Sequence, residues 1–189
     1  VIAFTAEELY FLAGGAPVPG LGPLPLDPGD DAALRLMRGT AERSLAARGL
    51  LGAHEVATLL EPLLDPDWFA TAVRGTARAW ARRRGLATEL VQVGATDYTL
   101  AAVTDIRARI AGFLDLHGDD ITQGAPEPLD EALLAPPAEV IEATRAAPGD
   151  IVALQWIDAG DGGRVWLLGA GDPVQVSSTG RAALLARLS

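Results

Sequence analysis

A chain of 189 residues with 49% hydrophobic side chains can bury a sizeable core, so a largely disordered state is excluded. A formal net charge of -10 excludes a broad phosphate-binding face, and the absence of cysteine excludes disulfides, thiolate nucleophiles and cysteine zinc sites. All 15 basic residues are arginine, which excludes lysine Schiff bases and P-loops.

The opening FTAEELYFL has the marks of a helix start. Thr5 and Glu8 have capping-box spacing, and Phe4 and Leu9 have that of a hydrophobic staple. The helix is expected to stop near Gly14-Gly15, before an extended Pro/Gly-rich connector whose Leu21, Leu24 and Leu26 need cover. Asp30 and Asp31 open a second helix, on which Leu34, Met37, Ala41 and Leu45 share a face and which Arg48-Gly49 ends. HEVATLLEPLLDPD predicts a third helix, shortened or bent by Pro62. No apolar run reaches the roughly 20 residues of a membrane helix. The first residues also lack the basic and apolar regions of a secretory signal, so a cytoplasmic location is expected.

From Trp68 the pattern turns to strands. WFATAVRGTARAW predicts one strand, ARRRGLA a turn, TELVQVG and YTLAAVT two more strands, and DIRARIAGFLDL a helix ending at His117-Gly118. GDDITQGAPEPL predicts a polar loop, and DEALLAPPAEVIEATRAA helix in two pieces broken at Pro136-Pro137. GDIVALQWID, RVWLLG and PVQVSS predict strands, and TGRAALLARL a last helix burying Leu184, Leu185 and Leu188.

Strand–strand–strand–helix therefore occurs twice, at an offset of about 75 residues. Gly94-Ala95-Thr96-Asp97 falls on Gly169-Ala170-Gly171-Asp172, Gly85 on Gly160, and Thr104 on Thr179. This decides how GAGD, residues 169–172, is read. It lacks the third glycine of a dinucleotide loop and is followed by a strand, so it predicts a hairpin turn and not a phosphate cradle. The expected class is α+β: two antiparallel meander-plus-helix units behind an N-terminal helical segment, as one shared sheet or a pseudo-symmetric pair. The expected divisions are a helical segment at 1–67, a first unit at 68–118, a helical connector at 119–149 and a second unit at 150–189, all in one compact domain.

Catalytic signatures are absent. HGDD, residues 117–120, groups metal-capable side chains without a zinc or calcium spacing, so no metal or cofactor is expected. Arg82, Arg83 and Arg84 form the one basic cluster, on a predicted hairpin tip. Three helices before such a tip also fit a winged helix, but the helix that would read DNA carries two glutamates and no arginine. Trp156 and Trp166 flank a predicted hairpin, where they are placed to pair across strands or, if exposed, to anchor a partner.

FTAEEL, AERSLAARGLL, HEVATLLEPLLDPD and VWLLGAGDPVQVSSTGRAALLARL together resemble the EspG-like, ESX (type VII) secretion-associated proteins of actinobacteria. The resemblance implies a cytosolic, non-enzymatic α+β protein with an internally duplicated sheet, acting as a chaperone that binds a secretion substrate. The functional expectation is a chaperone- or adaptor-like module with a protein partner, such as a helical secretion substrate. Its candidate contacts are Arg82, Arg83, Arg84, Trp156 and Trp166. A winged-helix regulator and a small-molecule binder or enzyme are the alternatives.

Overall fold

The computed structural model describes residues 1–22, 24, 30–117, 123–159, 164–169 and 173–189. Strand β1 (Ile2–Thr5) leads into helix α1 (Ala6–Leu12), followed by α2 (Asp31–Ala47) and α3 (His54–Leu64). Four strands come next, β2 (Trp68–Arg74), β3 (Thr76–Arg83), β4 (Leu86–Gln92) and β5 (Asp97–Ala102), and then α4 (Ile106–Leu114). The short β6 (Glu127–Pro128) and a 3-10 turn at Glu131–Leu134 precede β7 (Glu139–Ala147), β8 (Asp150–Asp158), β9 (Arg164–Gly169), β10 (Gln175–Gly180) and α5 (Arg181–Leu188). The class is α+β with antiparallel strand pairing, as the sequence predicts. No helix among the described residues is long and apolar enough to cross a membrane.

The chain forms two compact units, Val1–Phe69 with Arg78–Thr104, and Ala70–Ala77 with Asp105–Ser189. In the first, the strands neighbour one another in the order β1-β5-β4-β3. The helical segment packs on them, and Phe4, Leu9, Leu45, Leu60, Leu63 and Leu100 meet in one core. The local signals explain each helix. Thr5 caps α1 with both bonds of a capping box in place. Asp30 accepts the amide N–H groups of Ala32 and Ala33 and starts α2, whose Met37, Ala41 and Leu45 are buried. Arg48 ends α2, and Gly49 follows at φ +68°, where a side chain would be strained. Pro62 lies inside α3, which stops two residues later.

The second unit orders its strands β7-β8-β9-β10-β6, with most of β2 beside β7. Helices α4 and α5 contact each other, and α5 also contacts β7 and β10. Ile110, Leu114, Ile141, Trp156, Leu184 and Leu188 are buried there. Arg181, the first residue of α5, is only 2% exposed. It donates to both carboxylate oxygens of Asp158 at 2.8 Å and to the Asp115 carbonyl at 2.9 Å.

Several elements differ from the sequence-based expectation. WFATAVRGTARAW forms two strands, β2 and β3, because Gly75 interrupts it at φ +67°. Residues 139–147 were expected to be helical and are instead β7, with all nine positions opposite β8. Alanine and glutamate favour helix there only weakly, and a full strand pairing overrides that preference. Strand β1 was not foreseen; it adds to β5 over four residues. Helix α4 ends on a left-handed Asp115 (φ +54°), short of His117. The GATD segment is a tight turn joining β4 to β5, with Val93 and Gly94 donating to the Asp97 carbonyl at 2.9 and 3.3 Å. In GAGD, Gly169 ends β9, and residues 170–172 lie outside the described residues.

Removing one partner of the Asp158–Arg181 pair leaves a buried charge unmatched. Asp158→Ala is therefore expected to destabilise the protein by about 3–5 kcal/mol, read as a lower urea midpoint. A loss below about 1 kcal/mol would mean that the pair does not hold α5 in place.

Candidate partner-binding surface

Helix α3 has one buried stripe with small residues along its flank. Val56, Leu59, Leu60 and Leu63 are buried in the first unit. Ala53, the N-cap residue, and Ala57 flank that stripe, and beside them the surface sinks into a groove of about 410 Å³. Leu12, Leu50, Val56, Leu60 and Leu64 give it apolar walls, and Leu64 is 39% exposed. Glu61, Asp65 and Arg83 stand at its charged end. Such a concavity, apolar with few polar groups, suits an apolar side chain of a partner.

Of the predicted basic cluster Arg83 stands at this charged end, and the three members differ. Arg83 is ion-paired: its guanidinium lies 2.5 Å from Asp65, 3.7 Å from Glu61 and 3.8 Å from Asp67. It also donates to the Asp65 carbonyl. Arg84 adopts φ +47° and, with Gly85 at φ +82°, turns β3 into β4. Its amide N–H donates to Asp67 Oδ2 at 2.9 Å, while its side chain is 73% exposed and 3.9 Å from Glu61. Arg82 is exposed and sits 5.9 Å from the centre of the Trp68 ring. The sequence places all three on a hairpin tip, yet Arg82 and Arg83 belong to β3 and the turn is Arg84-Gly85. The acidic end of α3 neutralises most of what looked like a basic patch.

The tryptophans separate. Trp156 is fully buried, with an indole N–H that has no hydrogen-bond partner among the described residues. Trp166 is half-buried. Trp156 stands opposite Leu167, and Trp166 opposite Ile157, so the two rings lie on opposite faces and do not pair. The expected cross-strand pair misses by one residue, and a one-residue offset reverses the face. His117 is exposed, and Gly118, Asp119 and Asp120 of HGDD lie outside the described residues.

Sequence reasoning missed the groove. It found α3 and its buried stripe, but Leu12 and Leu50 come from separate elements. The available signal was the alanine pair, Ala53 and Ala57, one turn apart beside an acidic helix end.

Arg83→Ala is expected to lower stability by about 1 kcal/mol, since it removes several partly screened pairs at once. Arg84→Ala should stay within about 0.5 kcal/mol of the parent, because that side chain is largely in water. Urea titrations of the two variants check the order; equal losses would contradict it.

No family model matches this chain, and no curated protein matches it in sequence. Among solved structures it is similar to the structure of the Mycobacterium tuberculosis type VII secretion system chaperone EspG5 in complex with the PE25-PPE41 dimer. The similarity has a TM-score of 0.50 and 16% sequence identity, and covers 99% of this chain and 93% of that chain. At that identity the likeness is one of fold.

Proposed function

We propose that this chain is a non-enzymatic protein-binding module of chaperone or adaptor type, associated with type VII secretion and working in the cytoplasm. The observation that carries the reading is the fold shared over nearly the whole chain with a chaperone of that system. The α3 groove supports it, because it offers an apolar concavity beside the exposed Arg84. A helical segment of a secretion substrate fits this surface, with an apolar anchor in the groove and an acidic residue near Arg84, while Arg82, on the other face of β3, is a separate candidate contact. Trp166 is a second candidate contact, on the other unit. Arg83 supports the site through its ion pairs, whereas Trp156 is a buried core residue of the other unit.

The order of four strands and one helix recurs, as β2 to α4 and as β7 to α5. That recurrence supports an internal duplication as the origin of the scaffold.

Co-expression with neighbouring gene products, followed by affinity capture and mass spectrometry, tests the function. One stable protein partner is expected. Ala57→Arg fills the groove from an exposed position and should weaken that complex at least tenfold while leaving the circular dichroism spectrum intact. Undiminished binding by this folded variant would move the site off α3. Salt-sensitive duplex binding with no protein partner would overturn the module reading itself.

A further inference from the structure

We infer that Glu8 and Arg48 close the outer edge of β1 against strand addition by a second copy of this chain. Strand β1 ends the strand order, and its described ladder partner is β5. An edge of this kind presents a row of backbone groups that template another strand. In an antiparallel strand the N–H and C=O of one residue point the same way, and those of the next residue point oppositely. Here Ala3 and Thr5 point away from β5, since one backbone polar group of each is taken by a side chain. The Thr5 amide N–H donates to Glu8 Oε2 at 3.0 Å, and the Ala3 carbonyl accepts from Arg48 Nη2. The Thr5 carbonyl is also committed, as the N-cap carbonyl takes the first bond of α1.

The blocking groups are themselves fixed. Glu8 is 1% exposed and accepts from Ser44 Oγ at 2.7 Å and from Arg48 Nη1 at 2.9 Å. Arg48 lies 6.0 Å from the centre of the Phe4 ring, on the strand it guards. A second β1, approaching antiparallel, needs the Ala3 carbonyl and the Thr5 amide. Both are occupied by groups that the first unit holds in place.

The double variant Glu8→Ala with Arg48→Met frees the Thr5 amide and the Ala3 carbonyl, while Thr5 Oγ1 can still cap the amide N–H at position 8. Sedimentation equilibrium of the full chain over a concentration series reads the result, with circular dichroism to verify folding. The association constant is expected to rise at least tenfold over the parent. Adding Ala3→Pro should reverse the rise, because proline cannot extend a ladder from an outward-facing position. If the double variant does not fold, Arg48→Lys replaces it: one ammonium cannot span both acceptors as the two guanidinium arms do, so association should again exceed the parent's. Unchanged association in a folded variant, or association that Ala3→Pro fails to reverse, overturns the inference.

Discussion

One guanidinium organises the second unit. Arg181 meets β8 at its last residue, Asp158, and α4 at its last turn, through the Asp115 carbonyl. It is also the first residue of α5. Three elements thus share one buried charge. A charge so placed is tolerated only where its partners surround it, and here both carboxylate oxygens and a helix-end carbonyl do so. The start of α5 is thereby fixed, and with it the turn of helix that buries Leu184, Leu185 and Leu188. The apolar residues contribute most of the burial energy, but they do not by themselves select the point at which β10 gives way to helix.

The first unit solves a similar problem with a carboxylate. Glu8 is buried and takes bonds from Thr5, Ser44 and Arg48, residues of β1, α2 and the α2 C-cap. Glu89 is also buried and takes the indole N–H of Trp80 at 3.0 Å and Arg78 Nη1 at 3.2 Å. These contacts are specific to register. A one-residue slip of β1 would turn the Ala3 carbonyl away from Arg48 and the Phe4 ring out of the core. The cap, the strand edge and the core therefore have to be right together.

Local chemistry was legible in the sequence, and long-range chemistry was not. Thr5 with Glu8, and Asp30 with Gly49, can be read because caps are built from neighbours in the chain. The fold class was legible from the strand segments that became β4, β5 and β8. Strand β7 was not, since EVIEATRAA has a helix-compatible composition and becomes a strand only by pairing with β8. Arg83 was legible as a charge but not as a partner of three acids, which approach it only once α3 lies beside the β3–β4 turn. Glu8 and Arg48 are 40 positions apart, and Asp158 and Arg181 are 23 apart. No periodicity links such residues. The groove was hidden for the same reason, as its walls come from α1, α3 and the turn between α2 and α3.

The exclusive use of arginine is, at the level of composition, unremarkable in a chain rich in alanine and glycine. It has structural consequences at Arg48, Arg83 and Arg181 among others. Arg48 reaches Glu8 with one arm and the Ala3 carbonyl with the other. Arg83 engages Asp65 through both its carboxylate and its carbonyl. Arg181 divides its donors between Asp158 and Asp115. Each task needs a planar fork that meets acceptors in two directions, which a lysine ammonium on a flexible stem does not supply in fixed geometry. Arg82 and Arg84, by contrast, leave their side chains largely in solvent, where a cation can meet something outside the fold. The distinction between a supporting and an available arginine therefore follows from the acceptors that folding brings around each one.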